Sequence, residues 1–149
     1  MMLVAYALFI LTITASPRMP GTGFVGRVVT RLLYELHSRN ILMSVDFYVI
    51  EFVGNILMFV PLGILAALLI SRKAWWILLF LGTVFSGAIE LYQATFLPGR
   101  VPEVRDIVSN TTGFLIGAVF SIVLRMLVSH RDSLVELDRQ KAELLARTR

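Results

Sequence analysis

Hydrophobic positions along the chain gather into four stretches separated by short polar breaks. The first runs from Met1 to Ala15 and closes at Ser16-Pro17, the second from Glu51 to Ile70, the third from Ala74 to about Phe96, and the fourth from about Asp106 to Val128. A helix needs ~20 residues at ~1.5 Å rise each to cross a ~30 Å hydrocarbon core. The second, third and fourth stretches meet that length and predict transmembrane helices. The first is short and fits either a retained first helix or a cleaved signal peptide. Only Met1 and Met2 precede its apolar run, and Thr14-Ala15-Ser16 is a poor cleavage site; both features favour the retained helix.

Between Pro17 and Ile50 the pattern changes. Val28, Val29, Leu32, Leu33 and Leu36 share one helical face, with Arg27, Arg31 and Glu35 mostly on the other. This predicts an amphipathic helix that lies in the membrane interface or packs over the mouth of the bundle. The short link Ser71-Arg72-Lys73 makes the second and third spans an antiparallel hairpin. The stretch from Leu97 to Arg105 is a turn-rich loop with Pro98 and Pro102. Beyond Val128 the chain is polar, and Leu134, Leu137 and Leu144 extend over too few heptads for a coiled coil. A solvated helix with basic residues near the headgroups is expected there. The expected architecture is an all-α integral membrane bundle of about four transmembrane helices plus one interfacial amphipathic helix. It divides into a membrane domain over residues 1–128 and a cytoplasmic tail over residues 129–149.

Composition narrows the class of function. Of the 149 residues 57% are hydrophobic and 16% are charged, against ~45–50% apolar and ~25% charged in soluble domains. A chain this small has too little interior for so much apolar surface, so lipid is the solvent for much of it. The net charge of +4 is then a matter of membrane topology rather than a nucleic-acid footprint, and no nucleic-acid partner is expected. With both ends cytoplasmic, eight Lys and Arg lie inside (Arg72, Lys73 and Arg125 among them) and six outside. The excess points to that orientation and to a multi-pass membrane protein. There is no Cys, which excludes disulfides, thiolate metal sites and Cys nucleophiles.

Polar groups inside a membrane are costly and call for individual explanations. Glu51 and Asn55 open the second span at i, i+4; Glu90 and Gln93 close the third at i, i+3; Asp106 and Asn110 open the fourth at i, i+4. Each pair shares one helix face. Because the spans alternate in direction, all three pairs reach one side of the membrane, where the loop bearing Arg100, Glu103 and Arg105 also sits. Glu90 lies about 9 Å along the helix from Phe96 at ~1.5 Å per residue. At that depth its carboxylate needs a proton, a bound cation or another arginine such as Arg18 or Arg39. Oxygen ligands suit a hard cation, but the spacing matches no metal motif, so no metal and no cofactor is expected.

Other readings stand beside a shared site. Asp106 is a ready N-cap, and Asn110 can be an interhelical hydrogen bond. Gly113 and Gly117 form a GxxxG that admits a neighbouring helix, which also makes them a candidate face for homo- or hetero-oligomers. Pro61 is expected to kink the second span. No Ser-His-Asp set, GxSxG, HExxH or phosphate-binding glycine loop is present.

The residues Asn55-Ile56-Leu57-Met58-Phe59-Val60-Pro61-Leu62-Gly63, followed by Glu90-Leu91-Tyr92-Gln93, Gly99-Arg100, Arg105-Asp106, Asn110-Thr111-Thr112-Gly113 and Gly117, resemble the VanZ-like family of small bacterial membrane proteins. The resemblance covers about Glu51 to Val128. The family often has a second Asp in the arginine loop, and here Glu103 stands at that place. The founding member is linked to resistance to the glycopeptide teicoplanin, so the resemblance implies a cell-envelope protein and, for that member, resistance.

The candidate binding set is therefore Glu51, Asn55, Glu90, Gln93, Arg100, Arg105, Asp106 and Asn110 at the outer mouth. Its expected partner is a membrane lipid, a lipid-linked envelope precursor or another polar headgroup. Arg100 and Arg105 would hold an anionic group bidentately, while Glu90 and Asp106 orient them or accept protons. The alternatives are a membrane enzyme acting on a lipid-linked phosphate or glycan, with Glu90 or Asp106 as general acid/base, and a non-catalytic scaffold that uses its GxxxG face.

Overall fold

The computed structural model describes residues 1–14, 23–71, 74–97 and 103–147. These form five helices, α1 (Met2–Thr14), α2 (Phe24–Ser38), α3 (Phe47–Leu69), α4 (Trp75–Phe96) and α5 (Val104–Arg147), with no strand among the described residues. Of these, α3, α4 and α5 are long and apolar enough to cross a membrane. The 13 residues of α1 are apolar but shorter; they reach about 20 Å. The expected count of about four spans is thus three full-length helices and a short apolar one that packs with them.

Two helix starts differ from the expected ones, each for a local reason. The second span was expected from Glu51, but α3 begins at Phe47, because the Asp46 side chain accepts the Val49 N–H at 2.9 Å as an N-cap. Glu51 therefore lies a full turn inside the helix. α5 begins at Val104, and Glu103 precedes it, with its carbonyl accepting the Asp106 N–H at 3.0 Å. Asp106 is not the N-cap; it sits in the first turn, where the helix dipole still favours a negative charge. At its other end α5 does not break at Val128. It runs on as one helix of 44 residues, and every described residue from Met126 onward is exposed.

The centre of the fold is the seam between α3 and α5, which run parallel. A Cβ added at Gly113 would strike the Ile56 carbonyl, one at Gly117 the Val60 carbonyl, and one at Gly63 the Phe114 carbonyl. Lipid offers no hydrophobic drive between helices, so close approach over small residues is what holds them. The neighbouring helix that Gly113 and Gly117 admit is α3 of the same chain, so the face considered for oligomers is filled within one molecule. α4 runs antiparallel to both and presses Gly82 against the Phe114 ring. α1 closes the bundle, with Ile10 fully buried and the Tyr6 hydroxyl donating to the Met58 carbonyl at 2.9 Å.

The burial pattern is that of a membrane protein. Leu57, Leu68, Phe80, Leu91, Val119 and Phe120 are exposed, whereas Ser86, Glu90, Gln93, Ser109, Asn110 and Ser121 are buried. Large apolar side chains face outward because lipid solvates them; polar ones turn inward because lipid cannot. α2 packs on the bundle through one face. Leu33 is buried and Val29 and Leu36 are half-buried against the bundle, while Phe24, Val28 and Leu32 remain exposed.

Candidate functional site

Three helices bring polar side chains to one end of the bundle. α3 supplies Glu51 and Asn55, α4 supplies Ser86, Glu90 and Gln93 at i, i+4 and i+7, and α5 supplies Arg105, Asp106 and Asn110. Because α3 and α5 are parallel, their N-termini meet here. The positive ends of two helix dipoles and their unpaired first-turn N–H groups favour acidic residues at this end.

The contacts follow that logic. The Glu103 backbone N–H, at the threshold of α5, donates to Glu90 Oε2 at 3.1 Å. This gives a carboxylate only 4% exposed a charge-assisted partner at a helix N-terminus. Asn55 Nδ2 donates to Asp106 Oδ1 at 3.2 Å, tying α3 to α5. Gln93 Nε2 donates to the carbonyl of Thr14 at 3.0 Å, capping the last residue of α1. Asn110 Nδ2 donates to Ser86 Oγ at 3.0 Å in the interior.

Arg105 stands to one side. Its guanidinium lies over the Tyr48 ring, 4.7 Å from the centroid, with Nη2 at 3.2 Å from Glu103 and 3.6 Å from Glu51. These are charge contacts without hydrogen-bond alignment, since neither Nε nor Nη2 has a directed acceptor. The guanidinium expected to hold an anionic ligand is thus engaged by two carboxylates. Arg100 and Arg18 lie outside the described residues, and Arg39 is exposed at the C-cap of α2.

A cleft of about 380 Å³ opens among these elements. Glu51, Asn55, Glu90, Gln93, Asp106 and Asn110 line it, together with apolar side chains that include Ile13 of α1, Val29 of α2 and Phe47 of α3. Six of the eight candidate residues therefore share one cavity. A broader groove of about 690 Å³ runs beside Arg125 and Ser129, but α5 alone lines it and it lies at the other end of the bundle. Among the described residues no group of three or more His, Cys, Asp or Glu is placed to hold a metal ion.

Sequence reasoning overlooked three participants. Ser86 is the partner of Asn110, and its position four residues before Glu90 on the same face was the available signal. Tyr48 under Arg105 lies in the first turn of α3, which the later expected start hid. Arg125 figured only in the charge count, yet its Nη1 donates to the carbonyls of Ala67 at 2.7 Å and Ile70 at 3.0 Å, capping the C-terminus of α3.

A family model described as VanZ/LLP1 matches residues 1–125 of the chain. The chain belongs to that family. The VanZ/LLP1 match takes in α1, α2, the α3–α5 seam and every cleft residue, and it ends at Arg125, where the bundle gives way to the exposed part of α5. No curated protein and no solved structure matches the chain.

Proposed function

We propose that this VanZ/LLP1 protein works in the bacterial inner membrane and holds the polar headgroup of an envelope lipid or lipid-linked precursor in the cleft at its outer mouth. Occupancy alters how glycopeptides such as teicoplanin engage the surface. The observation that carries this reading is the cleft itself: six carboxylate and amide side chains from three helices line it beside apolar side chains from α1, α2, α3 and α4. A headgroup on acyl chains has the same two-part character, and pockets of this kind place a few polar groups within an apolar lining. A volume of about 380 Å³ suits a headgroup and is too small to enclose a glycopeptide, so the antibiotic is affected through the lipid it meets. The slight excess of Lys and Arg at the tail end supports an outward-facing mouth.

The test is Asp106→Ala, which removes the acceptor of Asn55 and one cleft carboxylate. In a strain that depends on this protein for teicoplanin tolerance, the variant should lower tolerance several-fold at equal membrane abundance, and Arg105→Ala should lower it less. Unchanged tolerance with both variants present at normal levels overturns the reading.

A further inference from the structure

The cleft is a site of acceptors. Three carboxylates, those of Glu51, Glu90 and Asp106, line it, and no Lys, Arg or His is among its described lining residues. The three amides that line it all spend a donor inside the protein: Asn55 Nδ2 on Asp106, Gln93 Nε2 on Thr14 and Asn110 Nδ2 on Ser86. Each of these amides also presents a carbonyl oxygen, which only accepts, beside its second N–H.

Asn110 makes this specific. The residue is 3% exposed, it lines the cleft, its Nδ2 is fixed by Ser86, and its Oδ1 is buried with no donor. A buried acceptor without a donor costs about 1–3 kcal/mol. Such a group in a native structure calls for a partner. The missing partner has to bring a hydrogen-bond donor to a cleft lined by three carboxylates and no described cationic side chain. A phosphate brings oxygens that repel and accept; an ammonium brings three donors and a positive charge.

We infer that the group seated in this cleft is a primary amine carried on a lipid headgroup, its ammonium donating to Asn110 Oδ1 among the cleft carboxylates. The inference rests on the headgroup reading above and names the chemistry that reading leaves open. A phosphate of the same headgroup stays at the rim, towards Arg105.

Retention of defined lipids by the full-length protein in detergent, read by native mass spectrometry, tests this. Phosphatidylethanolamine, the same lipid acetylated on its nitrogen, and phosphatidylglycerol share the phosphate and the acyl chains. Phosphatidylethanolamine should be retained about tenfold better than the other two, the worth of one charged hydrogen bond. Asn110→Leu should erase the preference and Asn110→Asp, which keeps an acceptor, should preserve it. The comparison among lipids on the unaltered chain carries the test even where a variant does not fold. Equal retention of all three lipids overturns the amine assignment and leaves headgroup binding standing, whereas retention of none overturns headgroup binding itself.

Discussion

The two ends of the α3–α5 pair answer the same electrostatic problem with opposite signs. At the mouth two helix N-termini meet, and acidic residues serve them, with Arg105 alongside: Asp46 caps α3, Glu90 takes the N–H before α5, and Asp106 sits in the first turn of α5. At the far end the C-terminal carbonyls of α3 meet Arg125. Each end places the charge its helix dipole prefers. They differ in what is left over. At the far end one guanidinium bonds two carbonyls, and the groove beside it is lined by α5 alone. The mouth gathers three carboxylates and three amides around a cleft of about 380 Å³. The far end is a helix cap, whereas the mouth also encloses a cavity.

Both ends depend on the seam between them, so the largest expected effect comes from breaking it. Gly113→Leu drives a side chain into the Ile56 carbonyl, and backbone cannot swing aside as a flexible side chain could. The expected cost exceeds the ~3 kcal/mol typical of overpacking. Thermal unfolding in detergent should show loss of the cooperative transition. Survival of a native-like transition would mean that α3 and α5 are not as close as the structure has them.

Next in size is the far end itself. Arg125→Ala leaves the Ala67 and Ile70 carbonyls without their charged donor, at about 1–3 kcal/mol. Arg125→Lys should recover part of this, since one ammonium replaces a planar fork. At the mouth, Asn55→Leu removes a single interhelical hydrogen bond, and such bonds average ~0.6 kcal/mol in membranes. The comparison is sharpened when Arg125→Ala lowers stability with little change in lipid retention, while Asn55→Leu does the reverse. Equal effects of the two on stability and retention would remove the distinction between the ends.

The sequence announced the mouth more clearly than the far end, for a physical reason. Glu51, Asn55, Glu90, Gln93, Asp106 and Asn110 stand out because they are polar residues in apolar stretches, and helical spacing with alternating direction is enough to bring them together. Gly113 and Gly117 announced a close helix contact but not whose helix fills it. That depends on tertiary packing, which α3 supplies through the Ile56 and Val60 carbonyls. Arg125 was hidden because an arginine at a span end is expected to reach the headgroups, and its acceptors are backbone carbonyls that no residue type reveals. Its place four residues beyond the buried Ser121 and eight beyond Gly117 on the seam stripe was the signal that could have exposed it. The start of α3 was legible in principle, since Asp46 is a preferred N-cap residue; beginning from the apolar run moved the boundary to Glu51. The unpartnered Oδ1 of Asn110 lay beyond any reading of sequence, because it follows from which amide atom Ser86 holds.

The smallest expected effect lies outside both ends. α5 continues from the bundle to Arg147 as a single helix, and none of its described residues after Arg125 is buried. Leu134, Leu137 and Leu144 are all at least half-exposed, so they contribute nothing to the core in the monomer. A chain cut after Ser133 keeps the seam, Arg125 and the whole cleft, and its unfolding temperature in detergent should fall by no more than the scatter of the measurement. Its lipid preference should also be unchanged, since the cleft lies at the other end of the helix. A clear loss of stability on truncation would mean that the exposed segment is held by something the monomer lacks, and the apolar positions at Leu134, Leu137 and Leu144 are where a stabilising contact would have to form. Retained stability confines the structural work of α5 to the part that packs on α3, the same part over which the family match runs.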